Sequence, residues 1–156
     1  MLNPHYRDLL SAFADANVEY LVIGAYAVAA HGHPRATGDI DLWVRPVEAN
    51  AERVLRALDQ FGAPTGALSV HDLCDPDVDI QLGVEPHRID ILTSAEGLRF
   101  EDAWPDRIDA EIEGVNIPVL SREHLIQNKL ALGRRQDLAD VESLGGDVPG
   151  ANDSSP

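Results

Sequence analysis

The run Thr37-Gly38-Asp39-Ile40-Asp41-Leu42-Trp43-Val44 constrains this chain more than any other segment, because its apolar and acidic residues alternate with the two-residue period of a strand. The alternation sends Ile40, Leu42 and Val44 into a core and puts Asp39 and Asp41 together on the opposite face. Two carboxylates that close repel each other. Water can solvate them on an edge strand, or a divalent cation can join them and turn the repulsion into coordination. The strand pattern alone leaves both open.

Around this strand the chain alternates helix and strand signals. Residues 4–16 read as an amphipathic helix with Leu9, Leu10, Phe13 and Ala16 on one stripe and Asn17 as its stop. Val18 to Ile23 reads as a buried strand. Gly24 marks a tight turn into an apolar helix from Ala25 to Ala30, followed by the loop His31-Gly32-His33-Pro34-Arg35. Pro46 opens a third helix, with Val47, Val54, Leu55, Leu58 and Phe61 on its apolar face and Gly62 at its end. Ala63 to Pro76 carries little signal beyond a short helical stretch at Ser69 to Leu73, and reads as connecting structure.

Further on, Val78 to Leu82 and Arg88 to Leu92 alternate as an antiparallel pair, and Ile108 to Glu113 with Asn116 to Leu120 form a hairpin around Gly114. Ser121 is placed to cap a helix over Arg122 to Leu132, and Gly133 separates it from a last helical stretch ending near Leu144. The expected fold is α+β, a mixed β-sheet flanked by helices. It forms a single domain over residues 1–144, and the segment 145–156, poor in apolar residues, is expected to be a flexible tail.

At 156 residues the chain can bury a sizeable core without disulfides, and its one cysteine, Cys74, excludes an internal disulfide or a thiolate metal site. No stretch has the length of a membrane span and the N-terminus lacks a signal-peptide layout, so a soluble, cytoplasmic protein is expected. The net charge of -15 argues against a protein that draws its affinity from wrapping nucleic-acid phosphates. Any phosphate-bearing ligand must find local positive charge, from metal ions or from a few of the eleven arginines and the single lysine, Lys129. The arginine and alanine bias also suits a GC-rich bacterial genome.

Three segments together carry chemistry: the Gly24-Ala25 turn, the Asp39-Ile40-Asp41 strand, and Asp90 inside the apolar strand Ile89-Asp90-Ile91-Leu92. A carboxylate in such a strand costs free energy unless it is paired or metal-bound, and a glycine turn before a helix offers backbone N–H groups to an anion such as phosphate. Three carboxylates can hold two divalent ions about 3.5–4 Å apart, as two-metal phosphoryl transfer requires. An all-oxygen shell suits magnesium or manganese.

This pattern resembles the nucleotidyltransferase superfamily that includes the DNA polymerase beta-like fold: a Gly-Gly or Gly-Ser ending a strand, then Asp-x-Asp between apolar residues, then a third Asp on a later strand. More narrowly, Gly24-Ala25-Tyr26-Ala27-Val28 with His31-Gly32-His33-Pro34-Arg35-Ala36-Thr37, and the run Asn128-Lys129-Leu130-Ala131-Leu132-Gly133-Arg134-Arg135-Gln136-Asp137-Leu138-Ala139-Asp140, are similar to small bacterial nucleotidyltransferase-like proteins related to abortive-infection toxins of toxin–antitoxin pairs. The resemblance spans roughly residues 18–144. It implies a nucleoside triphosphate donor, Asp39 and Asp41 as metal ligands, Asp90 as third ligand or base, and Lys129 helping to hold the triphosphate. The acceptor hydroxyl is open: a small molecule, a protein side chain or a tRNA end, presented with the help of a partner protein or of a second copy in a homodimer. Where the family usually has Gly or Ser after the first glycine, this chain has Ala25, which keeps the N–H but lacks a hydroxyl. That departure implies a rival reading, a nucleotide-binding or interaction module with little turnover.

Plainer readings stand beside these. Asp90 can pair with Arg88 or Arg35, and Arg35 can either touch phosphate or pair with one of the aspartates. Lys129 has no acidic helical neighbour three or four residues away, so its ammonium either meets a ligand or reaches water past an apolar face. An ordinary surface pair with Arg134 explains Asp137, and Asp140 needs no catalytic role. Asp75-Pro76-Asp77-Val78-Asp79 imitates a calcium loop but has Ile80 where glycine belongs. His31 and His33 lack a third zinc ligand and read as surface residues.

Overall fold

The first helix starts where the chain supplies its own cap: Asn3 accepts a hydrogen bond from the Tyr6 N–H at 3.0 Å, and Pro4 takes the first helical position, where a missing N–H costs little. The computed structural model describes residues 2–149. Helix α1 (Pro4–Asp15) leads through Asn17, in the left-handed region at φ 57°, into strand β1 (Tyr20–Ile23), which is buried at every position. Helix α2 (Gly24–Ala30), strand β2 (Asp39–Val44) and helix α3 (Glu48–Phe61) follow. Then come β3 (Asp79–Leu82), β4 (Arg88–Leu92), the short helix α4 (Phe100–Ala103), β5 (Ile108–Ile112), β6 (Val115–Val119), α5 (Arg122–Leu132) and α6 (Arg135–Ser143).

The strands form one mixed sheet in the order β3-β4-β2-β1-β6-β5. Three neighbouring pairs are antiparallel (β1 with β2, β3 with β4, β5 with β6), and two are parallel (β2 with β4, β1 with β6). The α+β expectation and both predicted hairpins are therefore present. Acidic residues stud both edge strands, with Asp79 on β3 and Asp109 and Glu111 on β5 exposed, which discourages edge-to-edge pairing with another chain. Leu9 and Phe13 of α1, Val54 and Leu58 of α3, and Leu21, Ile40, Leu42, Ile89 and Ile91 of the sheet are all but fully buried in one core.

Several boundaries differ from expectation. Helix α3 begins at Glu48, not Pro46, and Val47 is an extended N-cap residue, 46% exposed, instead of part of the apolar face. The stretch Ser69 to Leu73 yields only a single 3-10 turn at Asp72–Cys74. Helix α4 had no sequence signal, since four residues are too few to show a period; Phe100 is placed there by packing edge-to-face on Trp43 at 5.0 Å. Most of the expected tail at 145–156 lies outside the described residues.

One buried polar side chain ties helix to sheet. Asn50 on α3, fully buried, accepts from the Glu19 N–H at 2.8 Å and donates to the carbonyls of Glu19 at 2.9 Å and Arg45 at 3.0 Å. It thereby satisfies the backbone at the adjacent ends of β1 and β2. Replacing it with alanine strands the Glu19 N–H and leaves each carbonyl only its backbone donor, from Arg45 or Val47, so Asn50→Ala is expected to cost about 2 kcal/mol, read as a lowered urea midpoint at unchanged m-value.

Candidate active site

Sheet register, more than chain order, assembles the site. β2 and β4 run parallel with Asp41 opposite Asp90 and Asp39 opposite Arg88, so strand alternation puts all four side chains on one face. Farther along the same face, Trp43 pairs with Leu92 and is covered by Phe100, which closes the apolar end. The acidic end opens into a cleft of about 590 Å³ lined by Gly24, Ala25, Arg35, Lys129 and the three aspartates, among others. That volume lies within the range of small-ligand pockets. One ligand oxygen from each of Asp39, Asp41 and Asp90 lies within 4.8 Å of the others.

Gly24 is where it is because of Asp41. Its φ is +70°, and a Cβ built on it would stand 2.2 Å from Asp41 Oδ2. No side chain could occupy both that conformation and that space. The glycine therefore lets the carboxylate lie directly against the turn that opens α2. Ala25 follows, buried at the wall of the cleft.

Bringing three carboxylates together shifts their proton equilibria. Burial foremost, and then the charges of Asp39, Asp90 and Asp79, push the Asp41 carboxyl up to about 7. Asp90 is pushed up to about 6, again by burial first and by hydrogen bonding shared with Asp39 and Asp79, while Arg88 opposes the shift. Arg88 donates from Nη2 to Asp39 Oδ2 at 2.8 Å and from Nε to Asp90 Oδ2 at 3.1 Å. Thr37 donates its hydroxyl to Asp39 Oδ1 at 3.1 Å. Asp90 Oδ1 is buried and has no partner among the described residues. An orphaned carboxylate oxygen, carboxyls that hold protons too well and a compact all-oxygen donor set fit a hard divalent cation.

A second charged cluster walls the cleft. Lys129 on α5 is 3% exposed and lies 2.9 Å from Asp140 Oδ2 and 3.4 Å from Asp137 Oδ1, both on α6. Arg35 pairs with Asp140 at 3.1 Å and Arg134 with Asp137 at 2.6 Å. Burial alone would raise both carboxyls, but Arg134 and Lys129 hold Asp137 below the usual range, and Lys129 and Arg35 do the same for Asp140.

These contacts revise several expectations. The Lys129 ammonium does not reach water past an apolar face; its partners come from the next helix. The acid that Arg35 pairs with is Asp140, not Asp39, Asp41 or Asp90. The Asp137–Arg134 pair is present, but Asp137 is buried and is no ordinary surface residue. His31, expected at the surface, bonds through Nε2 to the Leu120 carbonyl at 2.9 Å. Of the residues singled out, Gly24, Ala25, Arg35, Asp39, Asp41, Asp90 and Lys129 all line the one cleft. Asn128, Arg134 and Gln136, which lie in the run that carries the family resemblance, line it too and were not singled out as site residues, nor was Arg88, two residues before Asp90 on the same strand face.

The titration has a sign. Asp41 binds its proton more tightly in the folded chain, with a pKa of about 7, than a free carboxyl at 3.8. The metal-free fold therefore loses stability as pH rises from about 4 to about 7, and carries the full penalty above that window. Asp41→Asn is expected to raise the Tm of the EDTA-treated protein at pH 8 by about 3 °C or more, with no gain at pH 4, by calorimetry. Lys129→Met leaves two buried carboxylates short of a partner and is expected to cost about 3 kcal/mol in chemical denaturation.

Comparison with known proteins agrees with this architecture. A family described as nucleotidyltransferase of unknown function (DUF6036) matches residues 7–145. No curated protein matches the chain. Among solved structures, a candidate nucleotidyltransferase from Thermotoga maritima superposes with a TM-score of 0.60 at 22% identity, over 91% of this chain and 93% of that one. An antigenic nucleotidyltransferase-like protein from Paracoccidioides brasiliensis superposes with a TM-score of 0.52 at 16% identity, over 87% of this chain and 71% of that one. At those identities the likeness carries the fold, and the family match carries the relationship. With the family model matched over nearly its whole described length, the chain belongs to the DUF6036 family of nucleotidyltransferases of unknown function.

Proposed function

We propose that the protein transfers a nucleoside monophosphate from a nucleoside triphosphate to an acceptor hydroxyl and releases pyrophosphate. The observation that carries this reading is the convergence of Asp39, Asp41 and Asp90 at the mouth of the cleft, against the Gly24 turn, in a member of a nucleotidyltransferase family. Magnesium or manganese held by these three carboxylates would supply charge neutralisation for the triphosphate and lower the pKa of the attacking hydroxyl.

The chain's own groups then have distinct tasks. Asp39 and Asp41 act as ligands, and the Gly24-Ala25 backbone faces the phosphates. Asp90, with Oδ1 unpartnered among the described residues, serves as third ligand or accepts the acceptor's proton. As the acceptor oxygen bonds to the α-phosphorus, the bond from that phosphorus to the bridging oxygen breaks, and pyrophosphate leaves with the electron pair. Arg35 and Lys129 line the same cleft and place positive charge beside the triphosphate. A neighbouring cavity of about 690 Å³ shares Ala25, Arg35 and Thr37 with the cleft and offers room for the acceptor, a small molecule, a protein segment or a tRNA end. No helix among the described residues is long and apolar enough to cross a membrane.

One observation favours a second reading, a nucleotide-binding or toxin–antitoxin type interaction module with little turnover. The basic side chains of the cleft are already engaged: Lys129 and Arg35 with Asp140, Arg134 with Asp137, and Arg88 with Asp39 and Asp90. Ala25 adds to this by bringing no hydroxyl. Calorimetric titration with ATP, GTP, CTP and UTP in magnesium, beside a pyrophosphate-release assay over candidate acceptors, separates the two. Metal-dependent binding with pyrophosphate release that falls at least about 100-fold in Asp41→Asn is the expected result. Binding without release leaves the module, and no binding of any triphosphate removes both.

A further inference from the structure

Arg88 occupies a position that a simple surface ion pair does not explain. It stands directly opposite Asp39 in the register and two residues before Asp90 on β4, so its guanidinium bridges two of the three carboxylates from within the triad's own face. The Asp39 and Asp90 oxygens that accept from it are thereby committed to a cation the chain itself provides.

The backbone at this residue is pinned while the side chain is not. The Arg88 N–H donates to the Gly38 carbonyl at 3.2 Å, and the Arg88 carbonyl accepts from the Tyr6 hydroxyl at 3.0 Å. The side chain is 28% exposed, which gives the head group a path into solvent. A third carboxylate waits beside it: Glu85 Oε1 lies 3.6 Å from Arg88 Nη1. Glu85 is held there by lying over Gly38, where a Cβ would come within 2.9 Å of Glu85 Cγ. The glycine before Asp39 thus makes room for an alternative anion within reach of the same guanidinium.

We propose that Arg88 is a resident counter-cation of the triad, given up when a divalent ion binds, with Glu85 as the carboxylate to which its guanidinium withdraws. This rests on the metal-binding reading above. Arg88 offsets part of the cluster's charge while no ion is present and sets the threshold an ion must exceed, so the site loads only where the incoming charge outcompetes two guanidinium–carboxylate pairs. It is a positioning residue and touches no reacting atom.

The test is Mn²⁺ binding followed by electron paramagnetic resonance in wild type, Arg88→Met and Arg88→Lys, with no nucleotide present. Arg88→Met is expected to bind Mn²⁺ about tenfold more tightly, the combined strength of two partly exposed pairs, with Arg88→Lys in between. A merely structural arginine would lower affinity when lost. In wild type, the Arg88 Nε–H resonance, identified by its absence from Arg88→Lys, is expected to shift as Mg²⁺ saturates the site; this measurement decides if Arg88→Met does not fold. An unshifted resonance at saturation, or Mn²⁺ affinity in Arg88→Met no higher than in wild type, overturns the exchange while leaving the metal site intact. Absence of Mn²⁺ binding to every variant overturns both.

Discussion

Electrostatic repulsion within the triad is the constraint on which the rest of this structure turns. Three carboxyl groups share less than 5 Å on a half-covered sheet face, and the fold accepts the resulting cost instead of relieving it by spreading them. Every neighbour reflects that. Gly24 has no side chain because Asp41 fills the space, Thr37 and Arg88 donate to Asp39, and Asp41 and Asp90 have lost much of their acidity. A fold selected for stability alone would have placed apolar residues here.

A second charged cluster, of different character, faces the first across the cleft. Lys129, Arg35 and Arg134 more than balance Asp137 and Asp140, and the two aspartates are more acidic than usual. The first cluster sets one guanidinium, Arg88, against three carboxylates, whereas the second sets three cations against two. The balanced cluster locks α5 to α6 and to the loop before β2, so it forms a stiff wall, whereas the unbalanced one keeps capacity for a cation. Burial is common to both; what differs is whether the chain supplies enough counter-charge.

Much of the fold was legible in the sequence because its signals are local. Alternation located β2, β3 and β4, Ser121 and Gly133 bounded α5, and Asn17 and Gly62 ended α1 and α3, since caps and left-handed turns depend on one or two residues. Helix α4 was silent because it is too short to show a period and is held by aromatic packing. The candidate site residues were legible for the same local reason, with both Asp-x-Asp carboxylates and Asp90 sitting at polar positions of otherwise apolar strands.

What the sequence determined by itself was therefore which side chains face the same side of each strand and roughly where most elements lie, because backbone periodicity spans only a few residues. Tertiary structure alone decided who meets whom. The parallel register of β2 and β4 set Asp41 beside Asp90 and Asp39 beside Arg88, and the packing of α5 on α6 turned Lys129 from a free cation into the centre of a buried ion network. Such pairings depend on distances between elements far apart in the chain, and neither composition nor spacing encodes those distances.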